Sequence, residues 1–173
     1  MVAAGLLILR LVIGVIMIGH GAQKVFGWWG GPGLAGWTQA MTRMRIRPPQ
    51  AWAYISAFGE VAGGALLILG FLTPLACAAI AGSMLVAIYL VHLPKGFWVS
   101  KGGYEFNLSI LGAIVALALI GPGAVSVDAA LRINLSQPLV LIALAIAVIA
   151  GVAAALLSRT PAAVEAKKPE TAS

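Results

Sequence analysis

The sequence predicts an all-α integral membrane protein, a helical bundle of four or five closely packed spans with no soluble domain large enough for chemistry of its own. Three observations carry this. Of 173 residues, 61% are hydrophobic and only 9% are charged, too few polar groups to cover a water-facing surface. Five stretches match the template of about 20 mostly apolar residues that crosses a bilayer. Pro74 and Gly121-Pro122-Gly123 punctuate them, and the connection from Val25 to Ala51 is the long one.

The five expected spans run from Ala3 to Gln23, Trp52 to Phe71, Pro74 to Leu93, Tyr104 to Ile120 and Pro138 to Leu157. The first lacks the basic leader of a cleaved signal and is kept as a mature helix. Only Leu72 and Thr73 separate the second span from Pro74, a residue suited to a first helical turn, so the second and third form an antiparallel hairpin. Gly121-Pro122-Gly123 closes the fourth. In the connection from Val25 to Ala51, Leu34, Trp37, Met41 and Met44 recur at helical spacing beside Arg43, Arg45 and Arg47. This predicts a short helix along the interface, ended by Pro48-Pro49. Residues 158–173, rich in Ala, Pro and mixed charge, cannot bury a core and are expected to form a disordered cytoplasmic tail.

The eleven basic residues give a net charge of +6. They are scattered rather than gathered with aromatics, which argues against nucleic acid and for membrane anchoring. Lys24, Arg43, Arg45, Arg47, Lys95, Lys101, Arg159, Lys167 and Lys168 fall on one side of the expected topology, against Arg132 on the other. The excess marks the cytoplasmic side, so the N-terminus is expected outside and the C-terminus in the cytoplasm. The single cysteine, Cys77, permits no internal disulfide, CxxC pair or zinc site, and no metal site is expected.

Ionisable groups inside spans are costly, at least about 2.5 to 3.5 kcal/mol near the bilayer centre, and call for a partner or a purpose. Arg10, Gly14, Met17, Gly21 and Lys24 share one face of the first helix, with His20 beside them. Glu60, among Gly59, Gly63 and Gly64, lies on the second helix, whose glycines invite close packing with the first. Counting helical rise puts Arg10 and Glu60 roughly 8 Å apart in depth, within near reach of an arginine. With His20, Lys24 and Glu105, they are expected to form a polar path from mid-membrane to the cytoplasmic mouth. A structural reading makes Arg10 and Glu60 a buried pair that fixes register. A functional reading makes Arg10, His20, Lys24, Glu60 and Glu105 a ligand-binding pocket, with proton transfer through His20 and a carboxylate.

Several segments carry a resemblance to a known family. They are Arg10 followed by His20-Gly-Ala-Gln-Lys24-Val-Phe-Gly27, Glu60 with Gly63-Gly64 and Leu69-Gly70, the stretch from His92 through Gly96-Phe97 to Tyr104-Glu105, and Gly121-Pro122-Gly123 with Ser126-Val-Asp128. Over about Leu7 to Leu131 the chain resembles the DoxX family of small bacterial membrane proteins. The resemblance implies a four-helix core over residues 1–131 and a place in the bacterial inner membrane, and the added span over 132–157 departs from the family's plain four-helix pattern. It links the chain to a thiosulfate:quinone oxidoreductase subunit, to other oxidoreductases and to membrane complexes handling thiol and oxidative stress. The chain carries no dinucleotide motif, haem signature or iron–sulfur cysteine set, so no covalently held cofactor is expected. The cofactor or substrate implied is a lipid-soluble quinone, with His20 or Glu60 exchanging protons and Arg10 or Lys24 stabilising a reduced anion. Catalytic residues stay unassigned. The implied partners are the lipid bilayer, a soluble redox or sulfur-transfer enzyme, and a second copy of the chain. The alternatives left open are a small-molecule transporter and a membrane anchor for soluble enzymes.

Overall fold

The computed structural model describes residues 1–133 and 137–160. Helix α1 (Val2–Phe26) ends where Gly27 takes a left-handed conformation with φ 74°, the turn that glycine adopts without steric cost. Helix α2 (Gly33–Arg43) follows, and α3 (Pro49–Leu69) begins directly at a proline. The expectation that Pro48-Pro49 ends the interfacial helix is therefore corrected. Helix α2 stops at Arg43, and Pro49, with no N–H to satisfy, opens the next helix instead. The apolar side of α2 was legible: Leu34, Trp37 and Met41 pack with Met44, Ile46 and Ala53 in a small cluster of their own.

Helix α4 (Thr73–Ala87) continues through a wide π-helical turn at Ile88–His92 and a tighter one at Leu93–Lys95. Helix α5 (Glu105–Ile120) is short, with 16 residues. The one-turn helix α6 (Val127–Ala130) precedes α7 (Gln137–Leu157). Among the described residues four segments are long and apolar enough to span: α1, α3, residues 73–95 and Val140–Leu157 of α7.

The bundle is built on α1 and α3, which run antiparallel and lie closest together. A side-chain carbon at Gly14 would meet Ile68 Cγ1 at 2.5 Å and the Gly64 carbonyl at 2.7 Å, and one at Gly21 would meet Val61 and the Ala57 carbonyl. Glycine there is what lets two backbones touch. Helix α4 packs on α3 and is flanked by α5 and α7. Met17, Leu67, Ile80, Ile114 and Leu117 form the sealed interior. Val12 and Val15 on α1 and Ile142, Ile146 and Ile149 on α7 face outward, an apolar surface that requires lipid.

The end of the bundle where α1 finishes and α3 begins carries Lys24, Arg43, Arg45, Arg47, Lys95, Lys101 and Arg159. There the chain after α7 is clipped to the segment between α2 and α3. Arg47 N donates to the Ser158 carbonyl at 2.9 Å and Thr160 N to the Arg45 carbonyl at 3.0 Å. The expected disorder of the tail concerns residues 161–173, which lie outside the described residues; Ser158 to Thr160 are held.

Candidate functional site

The antiparallel register of α1 and α3 decides which polar groups meet. Gly14 lies opposite Gly64 and Ile68, and Gly21 opposite Ala57 and Val61. Stepping outward from those contacts, Arg10 falls level with Gly70 and Lys24 level with Ser56, one turn from Glu60. Lys24 reaches back along the bundle, and its Nζ lies 2.5 Å from Glu60 Oε1. Arg10 is about ten residues of α3, roughly 15 Å, away from Glu60. An Arg10–Glu60 pair is thus excluded, and the correction follows from the glycine contacts: depth counted from helix ends takes no account of how the helices slide along one another.

The Glu60 side chain is 4% exposed and that of Lys24 17%. A carboxylate so buried is tolerated because an ammonium neutralises it. Yet Glu60 Oε2 has no hydrogen-bond partner among the described residues. Lys24 Nζ also sits 4.5 Å from the centre of the Trp37 ring, a cation–π contact. The Trp37 indole N–H donates to Ser56 Oγ at 2.8 Å, and the Ser56 hydroxyl donates to the Ala53 carbonyl at 3.2 Å.

These groups stand in the wall of a cavity of about 330 Å³. Helices α3 and α7 form its two sides and α4 its floor, with α2 and the Met44–Ile46 segment closing the basic end. Its surface is mostly hydrocarbon. Lys24 and Glu60 supply the charge, and Ser56 and Ser83 are the hydroxyls in the lining. A cavity of this size, apolar with a few convergent polar groups, is the usual form of a small-molecule site.

Of the other expected site residues, Arg10 and Glu105 lie elsewhere, and His20 is exposed on α1 within electrostatic reach of Lys24 and Glu60. Arg10, 1% exposed, is at the opposite end of α1, where its Nη2 donates to the Val125 carbonyl. Gly70, with φ 62°, leaves room for the guanidinium, and any side-chain carbon there would overlap Arg10 Nη1. Beside them Asp128 accepts from Leu72 N at 2.8 Å and Thr73 N at 3.0 Å, tying α6 to the α3–α4 turn. Ser126 caps α6, its Oγ accepting from Ala129 N at 3.1 Å. His20 faces outward with its ring 5.4 Å from that of Phe106. Glu105 accepts from Val99 N at 2.9 Å and orders the loop before α5. The continuous polar path is accordingly corrected to two regions, the Lys24–Glu60 pair with His20 within its electrostatic reach and a separate Arg10–Asp128 region. Among the described residues no cluster of His, Cys, Asp or Glu is arranged to hold a metal.

Asp128, Trp37, Ser56 and Ser83 were not singled out as site residues. Asp128 had a signal in Ser126-Val-Asp128, which reads as a capped helix start. The serines had none, because a lone serine in an apolar helix is unremarkable until a cavity is placed beside it.

Fold and site together define a small helical membrane protein with a buried ion pair opening on an apolar cavity. The DoxX family model matches residues 5–93, and the chain belongs to the DoxX family. It is 31% identical over 124 residues to Inner membrane protein YqjF of Escherichia coli, covering 72% of this chain and 89% of that one. It is 33% identical over 132 residues to Inner membrane protein YphA of the same organism, covering 71% and 87%. It is 31% identical over 124 residues to "Putative oxidoreductase CatD" of Bacillus subtilis, covering 72% and 84%. No solved structure gives a significant match.

Proposed function

We propose that this protein binds the ring of a lipid-soluble quinone in the α3–α4–α7 cavity and acts as the membrane subunit of a quinone-linked redox or sulfur-stress pathway. The observation that carries the reading is the position of Lys24 and Glu60 in the wall of an otherwise apolar cavity. Glu60 is eleven residues along α3 from Pro49, about 16 Å into the span. At that depth a phospholipid offers only acyl chain, whereas a quinone carries its polar ring through the hydrocarbon. Lys24 has ammonium protons to donate to a ring oxygen and to stabilise negative charge on it, and Glu60 is placed to accept or return a proton. The name of the Bacillus relative supports a redox role.

Electrons would come from a soluble redox or sulfur-transfer enzyme seated on the basic end. That end is read as cytoplasmic, with the N-terminus outside, by the excess of Lys and Arg there. On this reading Lys24 and Glu60 are the ligand-binding residues, Arg10 and Asp128 hold the opposite end together, and His20 and Glu105 serve the bundle surface and the loop.

The test is binding of a short-tailed ubiquinone analogue to the purified protein, followed by quenching of tryptophan fluorescence, since Trp37 and Trp52 line the cavity. Saturable quenching that weakens tenfold or more in folded Glu60→Gln is expected. Absence of saturable quenching in the wild type refutes the reading.

A further inference from the structure

The glycines of the spanning helices divide into two kinds. At Gly14, Gly21 and Gly64 an added side-chain carbon would lie within 3.0 Å of a neighbouring helix, and at Gly63 it would lie 3.2 Å from Ile80. Those positions are explained by packing. Gly5 and Gly19 on α1 and Gly112 on α5 have open space beside them away from the cavity, and at Gly59 on α3, Gly82 on α4 and Gly151 on α7 the same carbon would likewise meet nothing within 4 Å. Glycine inside a helix costs about 1 kcal/mol relative to alanine, and packing gives no reason for it at these three. All three line the cavity, together with Lys24 and Glu60. Each comes from a different wall, so the space they leave is shared.

Glu60 supplies the independent sign of a ligand, since it is 3% exposed, belongs to the cavity wall and keeps Oε2 without a partner. The outer side of the cavity lies between α3 and α7, which both pack on α4. Ile55 beside Gly59 is 59% exposed and Leu75 57%, so this seam gives onto lipid.

Resting on the quinone reading, we propose that Gly59, Gly82 and Gly151 are the specificity-determining positions of the cavity, holding open a slot for a flat ring that enters from the bilayer between α3 and α7. Helix α7 then belongs to the site. It lies outside residues 5–93 matched by the family model, and its contribution is Ala147, Gly151 and Ala155, the small side chains that keep the slot wide. A bulkier residue at any of the three glycines would fill the slot without pressing on the bundle.

The experiment uses the full-length protein, the short-tailed ubiquinone analogue and the same fluorescence titration. Gly59, Gly82 and Gly151 are each changed to Ala and to Leu. Gly112→Leu on α5 is the control, since Gly112 also faces open space but does not line the cavity. The Ala variants should melt no lower than wild type, and the Leu variants at the three cavity positions should bind at least tenfold more weakly, with Gly112→Leu unchanged. Leu variants that bind within twofold of wild type, or Ala variants that unfold, overturn the slot while leaving quinone binding intact. A wild type that binds no quinone refutes the parent reading instead.

Discussion

Replacing Lys24 by methionine removes the ammonium while keeping the length of the side chain against Trp37. Glu60 then loses its contact at 2.5 Å, and its other oxygen has no partner to fall back on. Breaking one side of a buried pair costs about 3 to 5 kcal/mol, because the charge left behind stays out of water. Lys24 retains 17% exposure, which places the expected loss near the lower bound, about 3 kcal/mol. The double variant Lys24→Met/Glu60→Met leaves no charge to bury. It should recover to within about 1 kcal/mol of wild type or exceed it, as hydrophobic replacements of buried pairs often do. Reversible unfolding in mixed micelles, followed by helical circular dichroism as the denaturing detergent is raised, reports both values. A single variant within about 1 kcal/mol of wild type would show a pair screened like one at a surface. A double variant no better than the single one would refute the desolvation argument outright. The double variant should also fail to bind quinone although folded, which separates the ligand-binding role of the pair from its structural one.

Asp128→Ala removes the acceptor of two backbone N–H bonds at 2.8 and 3.0 Å. At about 1.5 to 3 kcal/mol for each bond to a charged group, a loss of roughly 3 to 6 kcal/mol is expected in the same unfolding assay, and less than about 1 kcal/mol would count against the tie. Orientation is tested with Arg132→Cys and Lys101→Cys, each at an exposed residue, since the native Cys77 is buried. A membrane-impermeant maleimide applied to whole cells should label the first and spare the second; the reverse pattern would invert the topology.

Four of the five expected spans were legible because lipid imposes a length and a composition that few other environments demand, whereas α5, expected from Tyr104 to Ile120, has 16 residues and falls short of spanning length. Helix α2 was legible from Leu34, Trp37 and Met41 at helical spacing. The partner of Glu60 was not. Hydropathy places a helix across the membrane but is blind to its axial offset from a neighbour, and that offset is set by Gly14 and Gly21 seating against Gly64 and Ala57. The role of Gly59 was hidden for a related reason. It was grouped with Gly63 and Gly64 as a packing residue for the first helix, yet Gly64 meets α1, Gly63 meets Ile80 on α4, and Gly59 meets open space. Spacing in sequence cannot separate these, since a glycine is defined by what its neighbours leave beside it.

The attachment of Arg10 to the Val125 carbonyl has a bearing on how the protein is made. The two residues are 115 positions apart, and chains elongate at about 5 to 20 residues per second. For roughly 6 to 23 seconds the first helix therefore waits in the membrane with a guanidinium whose acceptor has not yet left the ribosome. During that interval the arginine must rest in the headgroup layer or be sheltered by the insertion machinery. Once the segment around Val125 is released, the guanidinium gains its carbonyl acceptor. A segment made more than a hundred residues later thus completes the seating of the first helix.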